Sequence, residues 1–142
     1  MKYVILVSHG EFAPGLKNAL GMLAGKREDL LAAGLKDGRS ADEFARDFEE
    51  LIKPVGPDDE ILLLGDLIGG SPLTTACNVL CEKGLAANTR VIGGMNLPLA
   101  LTALLMKDSM DLDTLKESIS EQAKEALKEF VLSTEDEDEE DV

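Results

Sequence analysis

Along this chain, short aliphatic runs alternate with longer stretches in which apolar residues recur every three or four positions. Residues 4–7 (Val-Ile-Leu-Val), closed by Ser8, His9 and Gly10, read as a buried strand that ends in a tight turn. Leu16, Ala19, Leu20, Leu23 and Ala24 then mark one face of a helix. Asp29 to Leu35 supplies a second strand, and Lys36 to Ser40 a turn. Ser40 and Glu43 form a capping box ahead of a helix with Ala41, Phe44, Ala45, Phe48, Leu51 and Ile52 on one side. After a breaker from Pro54 to Asp59, Glu60 to Gly65 is aliphatic without alternation, as a strand covered on both faces should be. Ser71 as N-cap and Pro72 in the first turn open a helix carrying Leu73, Ala76 and Leu80. Arg90 to Gly94 is a fourth strand, and Leu97, Leu101, Leu104 and Leu105 share one side of the next helix. A last amphipathic pattern uses Leu112, Leu115, Ile119, Ala123, Ala126, Leu127 and Phe130; its end, residues 127–133, fits a helix terminus and a short strand equally.

Four strand and helix alternations predict an α/β fold, an open, doubly wound, mainly parallel sheet with helices on both faces and right-handed crossovers. In the order 2-1-3-4, a flavodoxin-like topology, strands 1 and 3 are neighbours and the chain reverses direction across the sheet between them. Ligands of such sheets bind beyond the strand carboxyl ends at that switch point. Its rim would hold His9 from the first strand and Asp66 from the third.

Composition narrows the picture. With 142 residues and 44% apolar content the chain suits one compact domain, taken as residues 1–132, and it has no run long enough to span a membrane. The start, Met1 and Lys2 followed at once by strand, does not read as a signal peptide, so a cytoplasmic protein is expected. The formal charge is −14, and half of it lies in the seven acids from Glu135 to Asp141, read as a disordered acidic tail over residues 133–142. The remaining acidity disfavours nucleic acid as a partner. Cys77 and Cys81 lie four apart on a predicted helix and read as small buried hydrophobes in a reducing compartment. One histidine with two such cysteines does not make a metal-ligand spacing, so no metal and no cofactor are expected.

His9 is the only histidine. An imidazole can take and return a phosphoryl group when one ring nitrogen attacks and the other is held by a partner. Asp66 on Nδ1–H would fix the tautomer and offset the positive charge that develops on the ring. Gly69, Gly70 and Ser71 would present backbone N–H groups and a hydroxyl at a helix N-terminus, where a dianion is favoured. Gly10 and Asn96 are candidates for the site rim, although Asn96 with Pro98 also reads as an ordinary helix opening.

Three segments carry a family likeness: VSHGEFAPGLKNALGMLAG at 7–25, GDLIGGSPLTTAC at 65–77 and GGMNLPLALTALL at 93–105. In this order and spacing the chain resembles the IIA components of the mannose, fructose and sorbose class of the bacterial sugar phosphotransferase system, from Met1 to about Leu132. The resemblance implies a phosphotransferase working through a phosphohistidine. His9 would accept phosphate from the phosphorylated carrier protein HPr and pass it to a histidine of a IIB component. Asp66 would be the imidazole partner, and Gly69, Gly70 and Ser71 the phosphoryl cradle. It also implies a homodimer whose C-terminal strand crosses to the partner's sheet, and the membrane components IIC and IID as indirect partners that would draw the protein toward the transporter. Two departures stand out. Ile68 occupies a place where many members have Trp, and the acidic tail follows where some members continue into IIB, so IIB is expected to be a separate polypeptide.

Three rivals are weighed against this reading. The phosphohistidine subunit of the dihydroxyacetone kinase system has a similar opening, but its usual loop after the aspartate is of the GSA type. The histidine phosphatases need a second histidine and several arginines around the phosphate. A noncatalytic docking or binding module of the same fold would leave His9 without a chemical role; for a flavin version, no Trp, one Tyr and four Phe are a thin stacking supply.

Overall fold

The computed structural model describes residues 1–134. The elements in chain order are β1 (Lys2–His9), α1 (Phe12–Ala24), β2 (Leu30–Leu35), α2 (Ala41–Leu51), β3 (Glu60–Gly65), α3 (Ser71–Glu82), β4 (Thr89–Ile92), α4 (Leu97–Met106) and α5 (Leu112–Ala126), with short 3₁₀ turns before β4 and after α4. The four strands form one parallel sheet in the order β2-β1-β3-β4, as the alternation of elements predicts.

The sheet separates two apolar layers, which explains why its central strands do not alternate in polarity. Val4 and Leu6 of β1, with Leu62 and Leu64 of β3, pack toward α1, α4 and α5. Tyr3, Ile5 and Val7, with Ile61 and Leu63, face α2 and α3. Successive side chains point to opposite faces, so a strand with helices on both sides must be apolar at every position. Phe44 and Phe48, one turn apart on α2, stack with ring centroids 6.4 Å apart and are almost fully buried.

Local signals account for most helix starts. Ser40 Oγ accepts from Glu43 N at 3.1 Å while Ser40 N donates to Glu43 Oε1 at 2.9 Å, the reciprocal pair of a capping box. Asp111 caps α5 by accepting from Thr114 N at 2.8 Å.

Several expectations are corrected. The N-cap of α3 is Gly70, not Ser71, which is already helical and makes no capping bond. Pro72 at the second helical position lacks an N–H, so capping by side chain has one donor fewer to satisfy. Cys77 is half-buried and Cys81 exposed, because α3 turns them toward its outer flank. Leu23 and Leu105, counted on buried faces, are exposed. Residues 127–133 form neither helix nor strand, and Leu127, Phe130, Val131 and Leu132 are all exposed. The acidic run from Glu135 to Asp141, expected to be a disordered tail, lies outside the described residues.

At the strands' amino ends the two segments flanking the first layer are joined by charge. Lys107 is 2% exposed, and its Nζ lies 2.7 Å from Asp29 Oδ2 and 3.0 Å from Asp108 Oδ1. Arg27 also donates to Asp29, Nε to Oδ1 at 2.9 Å and Nη2 to Oδ2 at 3.1 Å. The Arg27 hydrogen bonds, then Lys107, outweigh burial and hold the Asp29 carboxyl at about 2, below its ordinary 3.8. Removing one partner of a buried pair leaves the other charge unsatisfied.

Asp29→Asn is therefore expected to lower stability near neutral pH by about 3 kcal/mol, the low end for such a loss because Asp108 remains beside Lys107. The carboxylate's contribution is complete above pH 3.8 and is lost as the pH falls toward about 2. Urea unfolding of both proteins across that range should show the gap between them close.

Candidate functional site

β1 ends at the carboxyl edge of the sheet because Ser8, His9 and Gly10 turn the chain into α1. Ser8 is fully buried; its Oγ accepts from Ala13 N at 2.6 Å and donates to the His9 carbonyl at 3.0 Å. One hydroxyl thus starts α1 and braces the histidine backbone. Gly10 has φ +54, and its N–H donates to Leu35 O at 2.8 Å. The chain turns there in a conformation that favours glycine. On the other side, a Cβ at Gly34 would lie 1.9 Å from the Gly10 carbonyl oxygen, so β2 must lack a side chain where the turn crosses it.

The His9 side chain is 50% exposed and that of Asp66 14%. His9 Nδ1 lies 2.8 Å from Asp66 Oδ2, and the His9 backbone N–H donates to the same oxygen at 2.9 Å. Leu67 N donates to Asp66 Oδ1 at 2.9 Å. Burial, the largest influence, pushes the Asp66 carboxyl upward; the bonds from the His9 backbone and ring and from Leu67 N together outweigh it and hold the group below the ordinary carboxylate range. Asp66 is thus an anion with acceptors only, and Nδ1 must carry the proton between them. Nε2 is left with its lone pair. A Cβ on Gly70 would fall 2.9 Å from His9 Cε1 and 3.7 Å from Nε2, so the open edge of the ring lies against the glycine that caps α3.

Gly69 has φ +85, and the exposed Ser71 opens α3 one residue beyond Gly70. The structure therefore gathers His9, Gly10, Asp66 and the Gly69–Ser71 loop at one rim. Asn96 is not brought to the ring. Its Oδ1 accepts from Leu99 N at 2.9 Å and caps α4, and it lines a separate cavity of about 260 Å³ with Gly93, Gly94, Leu99 and Leu127. Its rim assignment is corrected to a helix cap. Among the described residues, no group of three or more His, Cys, Asp or Glu is placed to hold a metal ion.

Two contributors escaped the sequence reading. Ser8 is a lone hydroxyl in an aliphatic strand, and Gly34 a lone glycine in another; each was a visible interruption of an apolar run.

With this geometry in hand, comparison with known proteins is decisive. The profile of the EIIA-man family, described as the PTS system fructose IIA component, matches residues 3–120. The chain belongs to that family. It is 25% identical over 124 residues to the PTS system fructose-specific EIIA component of Bacillus subtilis, covering 87% of this chain and 83% of the relative. It is also 25% identical over 105 residues to the mannose-specific EIIAB component of Escherichia coli K12, 74% of this chain but only 32% of that longer protein. Among solved structures, a phosphotransferase system EIIA component from Streptococcus agalactiae superposes with a TM-score of 0.79 at 25% identity, covering 92% of this chain and 98% of the other. This family member thus shares the parallel sheet and helical layers of a phosphotransferase-system IIA component.

Gly70→Ala, whose added methyl would press on Cε1, is expected to displace the ring from Asp66 and reduce the fraction of the Nδ1–H tautomer. Long-range proton–nitrogen correlation spectra read this without ambiguity, since the chain has one histidine. An unchanged tautomer would show that the ring tolerates the methyl group.

Proposed function

We propose that this chain is a phosphoryl carrier of the sugar phosphotransferase system, taking phosphate from phospho-HPr on His9 and giving it to a IIB component during uptake of a mannose-family sugar. The observation that carries this reading is the 2.8 Å contact between His9 Nδ1 and Asp66 on a ring whose other edge is open. The Nε2 lone pair attacks the phosphorus of the incoming phosphohistidine; the new N–P bond forms as the donor's N–P bond breaks, and the donor imidazole leaves. The proton on Nδ1 stays between the ring and Asp66, whose negative charge offsets the charge that phosphorylation leaves on the imidazole. The same steps in reverse order deliver the group to the acceptor. Gly69, Gly70 and Ser71 supply backbone donors and a hydroxyl at the positive end of α3 for the phosphoryl oxygens. Little covalent work is left for the protein beyond alignment and charge stabilisation.

The reading extends to assembly and place. β4 is an edge strand of only four residues, and Leu127, Phe130, Val131 and Leu132 find no cover within their own chain. An exposed apolar segment and an unpaired edge are complementary, so we place the 127–132 segment on the sheet of a second copy, as a homodimer. Among the described residues no helix is long and apolar enough to cross a membrane; the reading puts the carrier in the cytoplasm, meeting IIC and IID through IIB.

Incubation with phospho-HPr should place an acid-labile, base-stable phosphate on His9, and His9→Ala should abolish it. Asp66→Asn should keep the fold and slow transfer by about a hundredfold, because an amide holds the ring without offsetting its charge. Labelling that survives His9→Ala, or a wild-type chain that takes no phosphate and acts only by docking, would overturn the proposal.

A further inference from the structure

The loop from Asp66 to Gly70 touches His9 on one side and the segment leaving β4 on the other. Gly94 N donates to Asp66 O at 3.2 Å and Met95 N to Gly65 O at 2.9 Å. Met95 is itself 4% exposed and belongs to the apolar layer under α4, so these bonds tie the loop to the core. A third tie is a side chain. Ile68 is 84% exposed, yet a Cβ on Gly93 would fall 2.2 Å from its Cγ1, 3.0 Å from its Cδ1 and 3.2 Å from its backbone N.

The two glycines of this segment have different reasons to be glycine. Gly94 has φ +75 and needs the freedom. Gly93 lies outside the left-handed region, so backbone conformation does not demand it; the space demanded by Ile68 does. Rotating Ile68 away gives little relief, because a β-branched side chain puts a γ-carbon in two of its three staggered positions.

We infer that Gly93 is a positioning residue for the phosphoryl site: by admitting Ile68 over its bare Cα it lets the Asp66–Gly70 loop close onto His9. The inference rests on the carrier reading for its consequence in transfer, and on geometry alone for its effect on the ring. A side chain at 93 pushes the loop outward and lengthens the Nδ1 to Oδ2 contact beyond hydrogen-bond range. Loss of Ile68 loosens the same closure from the other side. A methyl group added at 93 and the γ-carbons removed at 68 compensate each other, since one fills the space the other vacates.

The test is a double-mutant cycle in the full chain with Gly93→Ala, Ile68→Ala and the two combined. Two quantities are read: the fraction of the Nδ1–H tautomer of His9 at about pH 8.5, above the ordinary imidazole range, and the initial rate of transfer from phospho-HPr. Gly93→Ala should shift the tautomer away from Nδ1–H and cut kcat about tenfold, with KM for the carrier little changed. Ile68→Ala should move both in the same direction by less, and the double variant should recover both toward wild type. A merely structural glycine would lower Tm without moving the tautomer. The inference is overturned if Gly93→Ala leaves tautomer and rate as they are, or if Ile68→Ala fails to relieve its losses. Should Gly93→Ala not fold, Ile68→Ala alone decides, and an unchanged tautomer there overturns it. A wild-type chain that accepts no phosphate would sink the carrier reading, while the tautomer arm would still decide the role of Gly93.

Discussion

The contact between His9 and Asp66 depends on a constraint of the whole sheet: β1 and β3, separated in sequence by a helix, a strand and another helix, must lie side by side in parallel and in one register. Val7 pairs with Gly65, and Asp66 N donates to Val7 O at 3.3 Å. Two residues past Val7 and one past Gly65, the chain delivers an imidazole and a carboxylate to the same edge. A shift of the register by one residue would turn the apolar side chains of β3 to the wrong layers, and both faces are buried, so the cores that stabilise the fold also fix the pair.

The two ends of the sheet are built differently. At the amino ends, Asp29 is clasped by Arg27 and Lys107, and the side chains fill the space. At the carboxyl ends the chain runs through glycines, Gly10, Gly34, Gly69, Gly70, Gly93 and Gly94, which let backbone segments approach each other and the ring closely. Reacting groups on loops held by a rigid scaffold are the usual outcome of this division. Here the loop is held from both sides, by His9 and by the segment after β4, so the openness of the ring's far edge does not imply looseness at its near edge.

Much of the fold was legible because it is written in local periodicity. Central strands with no alternation, a capping box at Ser40 and Glu43, and helical faces spaced three and four apart required no knowledge of distant residues. The candidate pair was legible for a related reason: a polar residue that closes an aliphatic strand lies at a sheet edge, and the topology rules say which edges meet. Asn96 satisfied the same description and turned out to be a cap for α4, because a side chain that has a backbone N–H within its own turn has a nearer partner than any imidazole.

The amino-acid order alone determined the kinds and sequence of elements, the two-sided burial of the strands and the residues available for phosphoryl chemistry, since each depends on neighbours within a few positions. Only the tertiary structure decided that Ser8 braces the histidine, that Gly34 and Gly93 must lack side chains, that Gly70 rather than Ser71 caps α3, and that residues 127–132 have no place in their own chain. Those outcomes turn on close approaches between segments far apart in sequence. Distances of that kind are properties of packing, and no local pattern encodes them.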